Sequence, residues 1–101
     1  MPIIVPKYKW STAVKNQDNN RCVYCGSTNR LETHHILPKS LFPEKENDVE
    51  NGVTLCHKCH YTIHHANYSN DRKHNAIFKK FSCEPELLKK YISDYVEQRK
   101  K

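Results

Sequence analysis

Two C-x-x-C pairs, Cys22-Val-Tyr-Cys25 and Cys56-His-Lys-Cys59, constrain this chain more than any other feature of it. Each pair is a short knuckle from which two thiolates can grip one ion, and 30 residues lie between the pairs. If both knuckles hold the same ion, the insert must fold as a unit whose two ends return together, as the ends of a hairpin do. Four thiolates around zinc make a closed tetrahedron with no position for substrate or catalytic water, so the contribution of such a site is architectural. Three other readings compete. Two disulfides are disfavoured, because cysteines at this spacing close poorly on each other. A thioredoxin-type redox motif expects one pair in a βαβ setting. Four thiols without metal would be a coincidence of spacing. Structural zinc is the favoured reading. Cys83 lies outside both pairs and reads as a small apolar residue at a helix start.

A metal clamp suits a chain of this size. Its 101 residues fit one domain over 1–101, and with 37% hydrophobic against 28% charged residues the core will be modest. No run of about 18 apolar residues is present, so no membrane span is expected. The opening MPIIVPKYKW is too short and too interrupted for a secretory segment, which points to a reducing, cytoplasmic setting where paired cysteines bind metal or do redox chemistry. The net charge of +6 favours a polyanionic partner, although a solvated surface explains that charge as simply. The charge is uneven: PEKENDVE at 43–50 is acidic, while 72–101 carries nine basic residues against four acidic ones.

Along the chain, Pro2 and Pro6 mark an extended basic arm, and STAVKNQDNN predicts a short helix capped by Ser11. CVYCGS is a compact turn in which Gly26 is free to take a left-handed conformation. RLETHHI alternates as a strand does, with Leu31, Thr33 and His35 on one side and Glu32 and His34 on the other. Pro38 and Pro43 interrupt the segment after that strand, and the acidic stretch reads as an exposed loop. GVTLC suits a second strand over 52–56, and HKCHYTIHHAN a helix. SNDRKHNAIFKKF reads as a further helix or as a continuation after a break near Asn70. SCEPELLKKYISDYVEQRKK is the clearest helix, with Pro85 in its first turn and an apolar stripe of Leu87, Leu88, Tyr91, Ile92, Tyr95 and Val96. The core therefore spans about 21–67, with an arm and short helix over 1–20 and helices over about 70–99.

The histidines need a separate explanation. His60 and His64 stand one turn apart on a helix whose start is fixed by the second knuckle, close to the strand that bears His34. One strand ligand and two helix ligands would hold an ion and leave positions open for water and substrate. His57, His65 and His74 receive no role and are expected to face solvent. Each histidine also has a plainer reading, as a surface or packed side chain.

THHILPKS, Asn51 within NGVTLC, and His60 and His64 within CHKCHYTIH together resemble the HNH endonucleases over about residues 21–65. The resemblance implies a small α+β fold of the ββα-metal (His-Me finger) type, a hairpin plus helix around one metal, here with flanking helices and a structural zinc knuckle pair. It implies His34 as the first metal ligand, where the family often has aspartate, His35 as general base, Asn51 as the residue that orients it, His60 as second ligand and His64 as third. The departure at His34 leaves the metal open among Mn2+, Mg2+, Ni2+, Co2+ and Zn2+, with an all-imidazole set suiting Mg2+ least. The implied activity is metal-dependent hydrolysis of DNA phosphodiester bonds, nicking or cutting, to 5′-phosphate and 3′-hydroxyl ends. The setting stays open among phage packaging, restriction, homing and repair.

Adjacent histidines on one strand suit that division of labour, since neighbouring side chains point to opposite faces. One can bind metal while the other accepts a proton. Lys39, Ser40 and the C-terminal basic residues are candidates for contact with DNA phosphates. The main alternative is a non-catalytic zinc module that binds nucleic acid through its basic arm and last helix, which leaves His34, His35, His60 and His64 without a purpose. A zinc module that docks protein partners through Tyr91, Ile92 and Tyr95 explains less still.

Overall fold

The insert between the cysteine knuckles returns on itself as a hairpin. In the structure, a computed structural model that describes residues 3–66 and 71–99, strands β1 (Leu31–His35) and β2 (Gly52–Cys56) pair antiparallel, with Leu31 opposite Cys56 and His35 opposite Gly52. Helix α1 (Lys7–Gln17) precedes the hairpin, and α2 (His57–His64), α3 (Arg72–Lys80) and α4 (Pro85–Arg99) come after it. The described residues thus form a small α+β arrangement of two strands, four α-helices and a cysteine cluster, consistent with the ββα-metal type. The break expected near Asn70 and the lysines at 100 and 101 lie outside the described residues.

Alternation along β1 sends Thr33 and His35 toward α1, and Glu32 and His34 toward α2. β2 is buried along its whole length, because helices cover both faces of the hairpin. Its Val53 and Leu55 join Cys22, Cys56, Cys59, Cys83, Leu88, Ile92 and Val96 in the main core. A second cluster of Trp10, Val14 and Val49 fills the α1 side. Gly52 lies where α1 comes closest: a Cβ there would sit 2.3 Å from Val14 Cγ2 and 2.8 Å from the Trp10 ring.

Three sequence expectations change. The first helix begins at Lys7 rather than Ser11, because Pro6, with φ −57°, supplies a preset entry and the first turns bury Trp10 and Val14 four residues apart. Ser11 sits inside that helix and accepts a hydrogen bond from Thr33 Oγ1 at 3.3 Å. The acidic stretch is not a free loop. Asp48 and Val49 are buried, and Asp48 Oδ1 accepts from the backbone N–H of Ile3 and Glu50 at 3.0 Å each. The α4 stripe is narrower than its composition implies: Leu88, Ile92 and Val96 are buried, whereas Leu87 and Tyr91 are exposed. Spacings of four carry the contact, and Leu87 and Tyr91 fall on the flank.

A carboxylate at the end of α1 ties the layers together. Asp18 is only 2% exposed. It accepts from the Thr54 N–H at 2.8 Å, the Tyr95 hydroxyl at 2.8 Å and Arg99 Nη1 at 3.0 Å. Arg99 Nη2 also donates to the carbonyls of Glu50 and Gly52, at 3.0 and 2.9 Å. Arg99 is therefore a structural clasp and not a free phosphate contact, because every one of these partners is internal. No helix among the described residues is long and apolar enough to cross a membrane.

Candidate metal centres and catalytic face

The thiol cluster is built where the hairpin closes. Gly26, at φ +78°, turns the first knuckle so that its N–H reaches the Cys22 carbonyl at 2.9 Å, and the Val23 N–H bonds the Thr54 carbonyl of β2 at 3.0 Å. Cys56 ends β2 and Cys59 lies in the first turn of α2. The Sγ atoms of Cys22, Cys25, Cys56 and Cys59 lie within 4.8 Å of one another, and all five cysteines are free. The hydrogen bond from Cys59 brings the Cys22 thiol down to about 4, against its burial. Cys59 is pushed far up by Cys22, Cys83 and burial, and burial first raises Cys25 to about 11. Four thiolates need a cation, and an all-sulfur tetrahedral set suits zinc. Cys83 is more than a core residue, since its Sγ lies 3.3 Å from that of Cys59.

On the outer face of the hairpin, His34, His60 and His64 offer ring nitrogens within 4.8 Å of one another. The His34 ring meets those of His60 and His64 with centroids 5.6 and 5.1 Å apart, and the Nε2 atoms of His60 and His64 are 2.8 Å apart. Burial, then the neighbouring imidazoles, pushes His34 down to about 4. His64 is lowered by burial and by His60. Unprotonated rings keep the lone pairs that metal binding requires, and the nitrogen-only donor set suits a borderline divalent ion.

Glu32, which carried no assigned role in the sequence, reaches this group. Its carboxylate accepts a hydrogen bond from His60 Nδ1 and lies 3.5 Å from His57 Nδ1. The bond from His60 holds Glu32 below the usual carboxylate range. The i, i+2 alternation that pairs it with His34 was its only sequence signal.

His35 points the other way. Its ring stacks on Trp10 with centroids 4.0 Å apart and planes 5° from parallel, and its Nε2 is 2.9 Å from the Glu46 carbonyl. A carbonyl only accepts, so Nε2 donates, and in the neutral ring Nδ1 is the nitrogen with the lone pair. Trp10 is itself fixed by a 2.8 Å bond from its indole N–H to the Asp48 carbonyl. Asn51 does not touch the His35 ring through any of its hydrogen bonds. Its Oδ1 accepts from the Leu37 N–H at 2.8 Å, and its Nδ2 donates to the carbonyls of Leu37 and Lys45 at 3.1 Å each. Its backbone carbonyl accepts from the Ile36 N–H at 2.9 Å. It therefore pins the residues just after His35 and the one just before Glu46, which is indirect orientation through the loop.

Lys39 and Ser40 are exposed on that loop. A cleft of about 400 Å³ opens beside His34, lined among others by Ile36, Asn51, Ile63, Lys89 and Val96. The histidines expected to face solvent are half-buried instead. His57 packs on Phe81, and His65 stacks between Tyr61 and His74. Aromatic neighbours on α2 and α3 draw them in.

One family model, that of the HNH endonuclease, matches residues 22–66, the segment from the first knuckle to just past α2. No match was found among curated proteins or among solved structures.

Proposed function

With residues 22–66 matching the HNH endonuclease family, which implies a nucleic-acid substrate, we propose that this chain is a metal-dependent endonuclease that hydrolyses phosphodiester bonds in DNA. The observation that carries the reading is the opposition of two adjacent histidines. His34 turns toward His60 and His64, while His35 turns away with one nitrogen committed to a carbonyl and the other open.

In this reading His34, His60 and His64 hold a divalent cation, with Mn2+, Ni2+ or Zn2+ suiting the donors better than Mg2+. When bound, such an ion supplies positive charge for the phosphoryl oxygen and the departing 3′-oxygen. His35 Nδ1 takes a proton from the attacking water as its oxygen bonds to phosphorus. The bond from phosphorus to the 3′-oxygen breaks in line, and solvent protonates the leaving oxygen. The Glu46 carbonyl stabilises the imidazolium that forms, because it already accepts the Nε2 proton. Trp10 keeps the ring from turning, and Asn51 holds the loop that supplies the carbonyl. The four cysteines bind zinc and keep the ends of the hairpin together. Lys39 and Ser40 face the backbone of the substrate.

Plasmid nicking tests this. The zinc-loaded protein, freed of loosely bound metal by mild chelation, should nick supercoiled DNA only after Mn2+ or another divalent ion is added. His35→Ala should lower the rate by about 10²–10⁴-fold while DNA binding survives. Binding by both proteins with cutting by neither, under any divalent ion, would favour a non-catalytic nucleic-acid-binding module.

A further inference from the structure

We propose that Glu32 is the positioning residue of the imidazole site: its carboxylate accepts a hydrogen bond from Nδ1–H of His60 and thereby aims the Nε2 lone pair of that ring at the point it shares with His34 and His64. This rests on the reading of those three histidines as a divalent-metal site.

The strand dictates the placement. Glu32 is two residues before His34, so the pleat carries both side chains to the α2 face. An ionised carboxylate can only accept, so the His60 nitrogen it meets is Nδ1–H, and in the neutral ring Nε2 is then the nitrogen that carries the lone pair. Without that acceptor, either tautomer and either ring orientation is open to His60, and one tautomer points N–H at the ion. With it, the ring is locked in the form that ligates, and Nε2 lies 2.8 Å from Nε2 of His64. The carboxylate is steadied from a second side. Its other oxygen lies 3.5 Å from His57 Nδ1, and the His57 ring packs on Phe81 with centroids 6.4 Å apart. His57 thus backs the carboxylate that backs the ligand. Carboxylates that hold the free N–H of metal-binding histidines fix the tautomer and raise ligand basicity, and their loss weakens metal binding about 10–100-fold. A partly exposed ion pair with no such task would contribute almost nothing measurable.

The zinc-loaded full chain is titrated calorimetrically with Mn2+, which does not compete well for thiolates, as wild type, Glu32→Ala, Glu32→Gln and His60→Ala. Glu32→Ala should weaken Mn2+ binding about 10–100-fold with an unchanged unfolding midpoint. Glu32→Gln should keep most of the affinity, because the amide oxygen still accepts the Nδ1 proton. Nitrogen NMR of the metal-free protein should show a single His60 tautomer in the wild type and a mixture in Glu32→Ala. Wild-type affinity in Glu32→Ala, while His60→Ala loses it, would overturn the inference and leave the metal site standing. Glu32→Gln falling as far as Glu32→Ala would overturn it too, since charge rather than orientation would then be at work. Failure of His60→Ala to weaken Mn2+ binding would remove the three-histidine site and this inference with it.

Discussion

His35 spends one nitrogen on the Glu46 carbonyl, and that bond is only as good as the loop behind it. Asn51 is the brace, with its side-chain amide and backbone carbonyl holding Ile36, Leu37 and Lys45. Asn51→Ala should therefore cost about 1–3 kcal/mol in urea unfolding, since buried backbone groups lose their partner. It should also slow nicking by more than that loss of stability explains, as the Glu46 carbonyl drifts from His35. At this scale the sequence was legible wherever chemistry depends on local spacing. The two cysteines of each knuckle and the His60/His64 pair lie three or four positions apart, and a turn or a helix converts such spacing directly into geometry. Asp18 was illegible, because its partners Tyr95 and Arg99 lie 77 and 81 residues away. An aspartate in a polar run looks the same whether it faces water or clasps a core. Asn51 was partly legible: its position stood out, but whether it held the ring or the loop depended on where residues 37–46 fold.

Among the elements, the seating of α1 on β2 and of α4 on the hairpin can each be tested by one methyl group or one side chain. Gly52→Ala places a Cβ into Val14 and Trp10, so α1 must shift, at about 1–3 kcal/mol of stability by chemical denaturation. Because Trp10 stacks on His35, the same variant should blunt nicking. On α4, Leu88→Ala should cost about 2–5 kcal/mol, whereas Leu87→Ala on the exposed flank should stay within about 0.5 kcal/mol. The helix was visible in the sequence, but which of two adjacent leucines faces the core was not, since both fit a broad apolar stripe. The start of α1 is hidden in the sequence for a related reason: Ser11 looks like a cap locally, yet burial of Trp10 favours starting a turn earlier at Pro6.

For the molecule as a whole, pH and metal are the levers. Burial first, then the bond to Asp18, raises the Tyr95 hydroxyl to about 12 from its ordinary 10.0. Between those values the unfolded chain gives up the proton that the folded one keeps, so unfolding is increasingly favoured as pH rises. Thermal stability should hold below pH 10 with respect to this group and fall from there toward about 12, and Tyr95→Phe should remove that share of the fall. Metal removal should come in two stages. A mild chelator should abolish nicking and leave the fold intact, while a chelator strong enough to compete for thiolates should unfold the chain, as should Cys56→Ser. Two separate ions, one among sulfurs and one among imidazoles, are the claim beneath all of these expectations. The most direct measurement is a crystal structure of the zinc-loaded protein soaked in Mn2+, with anomalous scattering recorded for each metal. Manganese bound by the ring nitrogens of His34, His60 and His64, and zinc at the four cysteine sulfurs, is the predicted result; three imidazoles pointing apart with no manganese between them would contradict it.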